Sequence, residues 1–202
     1  YDNPFLDVSV LGIFTGPSGR KIRREAYWDG GNTYRIAFAP TETGMWSYRL
    51  EAPEETGLSG VQGTIECIPY EGKLAIYQHG FLKVHPSGKY LTYADGTPFF
   101  WLGDTAWQMF HRHTVESARI FMVDRAMKGF NVLQGVCLAE HGGLSSPNAN
   151  GDWAFLDEEF TKPNDKYFDH IEALVDMADS LGLQIGLLPT CCLLYTSPSP
   201  RD

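Results

Sequence analysis

The chain has 202 residues, of which 43% are hydrophobic and 20% charged, a composition typical of a globular protein with a substantial apolar core. The formal net charge of −9 at pH 7 disfavours nucleic acid and anionic lipid as partners. Aromatic residues make up 13% of the chain, a share that fits either a β-rich core or a protein that stacks flat side chains against sugar rings.

The start of the chain and its cysteines leave the cellular location open. The sequence begins Tyr1-Asp2-Asn3, without a methionine or a leader pattern, so we expect the natural protein to start upstream. No apolar run is long enough to cross a membrane. The four cysteines follow neither a disulfide framework nor a metal-binding spacing, because two lie within apparently regular segments and the other two are adjacent.

The first third of the chain has the pattern of short antiparallel strands. From Phe5 to about Pro69, strand-like runs such as FLDVSVLGIF, REAYW and MWSYRLEA are bounded by Gly, Pro, Thr and Ser. A DGGN sequence between two of these runs is a turn signal of the hairpin kind. We therefore predict an antiparallel β-sandwich for this part of the chain.

After about residue 98 the pattern changes to alternating strands and helices. The run PFFWL predicts a first strand that ends at the polar loop GDTAW. A helix should begin after an N-cap at Thr114 and end before Gly129, and a second should run from a cap at Asn164 or Asp165 to Gly182. The apolar runs FNVLQGVCLAE and LQIGLLP predict buried parallel strands. This order is the opening of a parallel α/β domain, which takes roughly 250 residues as a (β/α)8 barrel.

The C-terminal segment CCLLYTSPSPRD has no helical or strand period, although it follows a strand that should lead into a helix. It is similar to a peptide found at the ends of unrelated sequences assembled from environmental DNA, where it is the translation of a sequencing adaptor. We therefore expect residues 191–202 to be non-native, and the barrel to be truncated after three strands and two helices.

Polar side chains at the carboxyl ends of the first two parallel strands are the candidates for chemistry, because ligands of parallel α/β folds bind there. Asp104 and Glu140 lie at these ends, where two carboxylates could share the acid and base steps of glycosidic bond cleavage. Asp104 could instead cap a turn, and Glu140 could form a salt bridge or contact substrate. Gln134 and Asn131 could point into a barrel or fix a neighbouring loop.

Nearby aromatic and imidazole side chains extend this candidate site. Trp107 could stack on a sugar ring or simply pack, whereas Trp101 should belong to the strand core. His111 and His113 could ligate a metal only from an extended segment, and no third ligand accompanies them, so we expect no metal. The Gly pairs do not follow the spacing of phosphate-binding loops, so we expect no nucleotide cofactor.

Several separate motifs between about Gly80 and Thr190 resemble the apiosidase-like glycoside hydrolases. They are YADGTPFFWLGDTAWQMFHRHT, RAMKGFNVLQGVCLAE, LSSPNANGD and PNDKYFDHIEALVDMADSLGLQIGLLPT. The preceding sequence, with FTGPSGRK and YWDGGNTYRIAFAPTETGMWSYRLEA, resembles the β-sandwich domain often found before these catalytic domains. We therefore expect a sandwich at 1–78, the first part of a catalytic domain at 79–190 and a non-native tail at 191–202.

The resemblance implies a (β/α)8 barrel that hydrolyses a glycosidic bond of plant cell-wall polysaccharide, in relatives the bond between apiose and galacturonic acid in a pectic side chain. It also implies that the catalytic Asp and Glu come from the fourth and seventh barrel strands, which this chain does not reach. The chain as written should therefore be inactive. The residues that should contact or orient substrate are Asp104, Trp107, His111, Gln134 and Glu140.

An alternative from another class is a non-catalytic carbohydrate-binding or scaffold module in which the sandwich binds the ligand. Exposure of Tyr27, Trp28 or Trp46 on one sandwich face would favour it. In both cases the expected partner is an oligosaccharide or polysaccharide, without a cofactor. The linkage, its stereochemistry and the oligomeric state stay open, and a periplasmic or secreted location is suggested by the family's usual setting alone.

Overall fold

The computed structural model describes residues 3–138 and 144–190 of the chain. It divides into two compact units, Tyr1–Glu71 and Gly72–Asp202. Unit 1 is built mainly of antiparallel strands. Unit 2 contains an antiparallel sheet and a parallel sheet with helices between its strands. Within the described ranges, no helix is both long and apolar enough to cross a membrane.

The described part of unit 1 is built of six strands with two short helical turns. The elements are α1 (Pro4–Asp7), β1 (Leu11–Thr15), β2 (Lys21–Glu25), β3 (Tyr27–Trp28), β4 (Tyr34–Arg35), β5 (Gly44–Glu51), a 3-10 turn (Glu54–Thr56) and β6 (Gln62–Cys67). Four strands form an antiparallel sheet in the order β2-β1-β5-β6, and β3 and β4 form a separate two-stranded ribbon.

The core of unit 1 lies on one face of this sheet. Alternate residues of the strands point inward, so that Phe14 and Trp46 are buried together with Ile22. The segment after β4 covers them, because the ring of Phe38 stacks on Phe14 at 3.9 Å and meets Trp46 edge-on at 5.1 Å. The predicted antiparallel strands are therefore present, and the segment that follows β4 packs against them.

Unit 2 contains a three-stranded antiparallel sheet followed by a three-stranded parallel sheet. The elements are α2 (Ala75–Gln78), β7 (Leu82–Val84), β8 (Leu91–Tyr93), β9 (Pro98–Phe99), β10 (Gly103–Thr105), α3 (Met109–Arg112), α4 (Val115–Met127), β11 (Val132–Val136), α5 (Asp165–Ser180) and β12 (Gln184–Leu188). The antiparallel sheet has the order β7-β8-β9 and the parallel sheet the order β10-β11-β12. Helices occupy the connections of the parallel sheet, as expected for β-α-β units.

The two long helices of unit 2 begin and end where the capping signals predict. The side chains of Thr114 and Asn164 accept hydrogen bonds from main-chain N–H groups in the first turns of α4 and α5. Gly129 and Gly182 follow the helix ends with φ of +80° and +73°, a left-handed conformation that glycine adopts without strain. The helix predictions are confirmed, and Asn164 rather than Asp165 is the second cap.

The prediction of the first parallel strand was wrong in its boundaries. The apolar run begins with β9, which pairs antiparallel with β8, and its last three residues lie outside any strand. The first parallel strand is Gly103–Thr105, so that Asp104 lies within a strand. Phe99 is buried against Tyr93 and belongs to the antiparallel sheet. Trp101, expected in the core, is half-exposed and covers Gly103, where an added Cβ would lie 2.6 Å from the indole nitrogen.

Packing of helices against one face of the parallel sheet forms the largest core. Leu133 of β11 is fully buried there, beneath Phe110 of the short helix α3, Met122 of α4 and Leu174 of α5. The sequence pattern did not predict α3. Because α3 lies between β10 and α4, it fixes the segment that leaves the carboxyl end of β10.

Candidate functional site

The carboxyl edge of the parallel sheet, meaning the ends of β10, β11 and β12 and the segments that follow them, is where parallel α/β proteins bind ligands. The strands are aligned in register, with Thr105 beside Gln134 and Gln134 beside Gly186. Asp104 pairs in the same way with Leu133, whose side chain is buried among the helices. Gln134 and Asp104 therefore point to opposite faces of the sheet.

Asp104 faces helix α4 and is held there by an arginine. Its carboxylate accepts hydrogen bonds from the Arg125 guanidinium and, at 2.8 Å, from the N–H of Thr105. The bond to Asp104 raises the pKa of Arg125 above its ordinary value. The same guanidinium lies over the Phe121 ring, 4.7 Å from its centroid. Asp104 thus ties β10 to α4 through Arg125.

Gln134 lies on the face opposite the helices and is half-buried. No other side chain among the described residues forms a hydrogen bond with its amide. Beside it, Gly186 has no side chain, and an added Cβ would lie 3.7 Å from the Gln134 Cβ. Gln134 therefore presents its amide on the face of the sheet opposite the helices.

Trp107 follows β10 and is 43% exposed. Its carbonyl oxygen accepts a hydrogen bond of 3.0 Å from the N–H of Val136, which fixes this residue beside the end of β11. The indole is therefore held at the carboxyl edge with one part open to solvent. Such a side chain can stack on an apolar face of a sugar ring, and the stacking stays a prediction.

His111 lies in α3 and is almost fully buried, with 3% of its surface exposed. Its Nε2 lies 3.2 Å from the Ser146 hydroxyl, and its carbonyl oxygen accepts a hydrogen bond from the N–H of Ala149. Burial, with a smaller contribution from Arg112, lowers the pKa of this imidazole. A neutral His111 therefore anchors the long segment between β11 and α5.

His113, the other member of the His-x-His pair, has a different environment. Its Nδ1 lies 3.2 Å from the Ser117 hydroxyl, and its carbonyl oxygen accepts a hydrogen bond from Nε2 of the buried His170. No group of three or more metal-ligating side chains occurs among residues 3–138 and 144–190. Glu140, the remaining site residue expected from the sequence, lies outside the described residues.

Sequence reasoning missed the residues that shape the segment between β11 and α5. Asn148 is buried, and its side-chain oxygen accepts hydrogen bonds of 3.0 Å from the N–H groups of Asn150 and Asp152. Asn150 in turn lies 3.1 Å from Nδ1 of His170. The sequence PNANGD carries the Asn and Gly of a turn, so the turn could have been predicted, although its attachment to α5 could not.

This segment forms an open groove of about 520 Å³. Two large aromatic side chains, Trp153 and Phe160, line it and are each about half-exposed. The remaining lining residues are Leu144, Gly151, Asp152, Ala154, Phe155, Leu156, Asp157, Glu158 and Asn164. The groove leads directly into the N-cap of α5, so it lies at the carboxyl end of β11.

The sequence profile of the apiosidase-like catalytic domain matches residues 85–197, more than half of the chain. The chain belongs to the apiosidase-like family. The matched range extends into residues 191–197, within the segment predicted from its sequence to be non-native. A second profile, of a domain of unknown function (DUF5060), matches residues 1–53, within unit 1.

This apiosidase-like chain is similar to solved structures of glycoside hydrolases. It is similar to the crystal structure of an inferred glycoside hydrolase from Bacteroides vulgatus ATCC 8482, with 28% identity, a TM-score of 0.73, and coverage of 92% of this chain and 37% of that one. A further glycoside hydrolase gives 31% identity and a TM-score of 0.50 over 56% of this chain and 26% of its own. The chain thus spans little more than a third of the first relative. No curated protein sequence gave a significant match.

Proposed function

We propose that this chain carries the opening of the catalytic (β/α)8 barrel of a glycoside hydrolase that acts on pectic polysaccharide of the plant cell wall. The family match over residues 85–197 carries this proposal. Its support in the structure is the parallel order β10-β11-β12, with helices in the connections and ligand-accessible side chains at the carboxyl edge. The preceding residues, 1–78, form the accessory β-domain of the proposal.

In this proposal the site residues have different tasks. Trp107 and Gln134 contact the sugar, because the first is exposed at the carboxyl edge and the second has an amide without a partner in the described part of the chain. Asp104 and His111 orient the two connecting segments, through Arg125 and Ser146 respectively. Glu140 is proposed as a further substrate contact from the sequence alone.

We also propose that the 202-residue chain binds sugar without cleaving it. Glycosidic cleavage needs two carboxyl groups that flank the bond, one of them as a proton donor. Asp104, the carboxylate of β10, is turned toward the helices and paired with Arg125, so it does not flank a ligand on the Gln134 face. The family resemblance assigns both catalytic carboxylates to later strands.

The test is a binding and hydrolysis experiment on the purified chain with pectic oligosaccharides. We expect saturable binding, which the variants Trp107→Ala and Gln134→Ala weaken, and no release of reducing sugar. Released sugar would contradict the proposed inactivity, and binding that neither variant changes would contradict the proposed site.

The variant Tyr27→Ala is the matched control and also tests the carbohydrate-binding-module alternative. Tyr27 is 48% exposed on β3 of unit 1, whereas Trp46 is fully buried and donates its indole N–H to the Glu42 carbonyl. Loss of binding in Tyr27→Ala with normal binding in Trp107→Ala would favour the alternative.

A further inference from the structure

We propose that the groove between β11 and α5 is a subsite for an uncharged sugar unit, and that it excludes uronic acids. The inference rests on the proposed function and names the ligand class of one part of that site. It is carried by the two exposed aromatic side chains of the groove, its fixed backbone and the sign of its charges.

The backbone of the groove is held by hydrogen bonds at both of its ends. Asn164 donates its side-chain N–H to the Trp153 carbonyl oxygen at 2.7 Å and its main-chain N–H to that of Ala154 at 3.0 Å. Further along, the N–H of Leu156 donates to the carbonyl oxygen of Lys162 at 2.8 Å. The side chain of Ala154 is buried in the main core, so the groove is attached to the helix and sheet that frame the carboxyl edge.

One of the two aromatic side chains, Phe160, lies in a strained backbone conformation. Phe160 has φ of +58°, in the left-handed region that bulky residues rarely adopt, yet its ring is half-exposed. The carboxylate of Asp157 holds this turn by accepting hydrogen bonds from the N–H groups of Thr161 and Lys162, at 3.0 and 3.1 Å. The Phe160 ring meets Phe155 edge-on at 5.4 Å. A strained turn that presents an aromatic ring to solvent points to a ligand for that ring.

The charges of the groove select among sugars. Its described lining holds three carboxylates, Asp152, Asp157 and Glu158, and no lysine, arginine or histidine. The hydrogen bond from the Thr161 hydroxyl is the main cause that lowers the pKa of Asp157, so this group stays ionised at neutral pH. Carboxylates accept hydrogen bonds from sugar hydroxyls and repel the carboxylate of a uronic acid. The apolar ring faces of a neutral sugar can stack on Trp153.

The experiment uses the full chain labelled with 5-fluorotryptophan, whose five tryptophans give five fluorine NMR signals. The variant Trp153→Phe assigns the groove signal, and Trp107→Phe assigns that of the carboxyl edge. The probes are arabinotriose and xylotriose, which are neutral, and trigalacturonate, which carries a carboxylate on each ring. We expect the neutral probes to shift the Trp153 signal, and trigalacturonate to bind there about tenfold more weakly at low salt.

One pair of variants and one single variant sharpen the test. Glu158→Gln should bring trigalacturonate binding closer to that of the neutral probes, whereas Glu159→Gln, its neighbour outside the groove lining, should leave the ratio unchanged. Phe160→Gly should weaken neutral-sugar binding while it keeps the thermal stability, because glycine adopts φ of +58° freely.

The outcomes separate this inference from the proposed function. Equal or tighter binding of trigalacturonate at Trp153 would overturn the inference. Shifts confined to Trp107 would overturn it as well, and would leave the carboxyl edge intact as the sugar site. Absence of any tryptophan shift with all three probes would contradict both.

Discussion

A single added methyl group in the parallel sheet should test how tightly α3 is packed against β11. Gly135 lies in β11, and an added Cβ there would lie 3.0 Å from the Phe110 ring and 3.2 Å from the carbonyl oxygen of Ala106. The Phe110 ring is fully buried and the second contact is backbone, so neither can move away freely. We expect Gly135→Ala to force α3 away from the sheet.

Two opposing contributions set the expected change in the free energy of unfolding of Gly135→Ala. Overpacking of a filled core costs about 1–3 kcal/mol. Replacement of a strand glycine by alanine returns about 0.5–1 kcal/mol, because the unfolded chain loses freedom. The free energy of unfolding of unit 2 should therefore fall by about 1–2 kcal/mol, which lowers its Tm by roughly 3–6 °C.

Gly186→Ala is the matched control, because Gly186 lies in the neighbouring strand β12. There the nearest atom to an added Cβ is the Gln134 Cβ at 3.7 Å, an ordinary contact. Calorimetry of both variants should show a lower Tm for Gly135→Ala and an unchanged or slightly higher one for Gly186→Ala. Equal stability of the two variants would refute the tight packing of α3 against β11.

Three further substitutions test the contacts around the site. Because burial lowers the pKa of His111, protonation of this imidazole favours the unfolded chain. The stability of the wild-type chain should therefore fall as the pH drops below about 6.5. His111→Gln should remove this pH dependence. Tyr167→Phe removes the hydrogen bond from a fully buried hydroxyl to the Cys137 carbonyl oxygen and should cost about 1 kcal/mol in urea unfolding. Asp104→Asn should lower the Tm by weakening the contact with Arg125, and should change sugar affinity less than Gln134→Ala does.

An exposed residue provides the control for Tyr167→Phe. Tyr90→Phe should not change the urea midpoint, since Tyr90 is 47% exposed. A pH profile that His111→Gln leaves unchanged, or a large loss of sugar affinity in Asp104→Asn, would contradict the roles assigned to these side chains.

The parts of the fold that the sequence predicts are those with local signals. The caps of α4 and α5 and the terminal glycines lie within a few residues of the turns that they control, and the apolar run of β11 matches a strand buried on both faces. The start of β10 was not predictable in this way. It depends on Trp101 covering Gly103 and on Phe99 packing with Tyr93, contacts that the hydrophobic pattern does not distinguish from a longer strand.

The candidate site likewise has a part that the sequence predicts and a part that depends on long-range packing. The carboxyl-edge rule places Trp107 and Gln134 where a ligand could reach them, because it depends on chain order alone. The burial of His111 and the pairing of Asp104 with Arg125, 21 residues away, arise from the packing of α3 and α4. The groove depends on a segment whose polar composition indicates only a loop.

The side chain of Asn131 makes hydrogen bonds to main-chain groups that resemble those of a neighbouring strand. Its side chain accepts a hydrogen bond from the N–H of Leu102 at 2.9 Å and donates one to the carbonyl oxygen of Phe100 at 2.7 Å, while its main-chain N–H donates to the Leu102 carbonyl oxygen. Replacement of Asn131 by aspartate would keep the oxygen that accepts from Leu102, but it would place a negatively charged oxygen against the carbonyl oxygen of Phe100. Both polar groups of this one side chain therefore bind the chain that enters the first parallel strand to the start of β11, at the edge of the sheet opposite to Trp107 and Gln134.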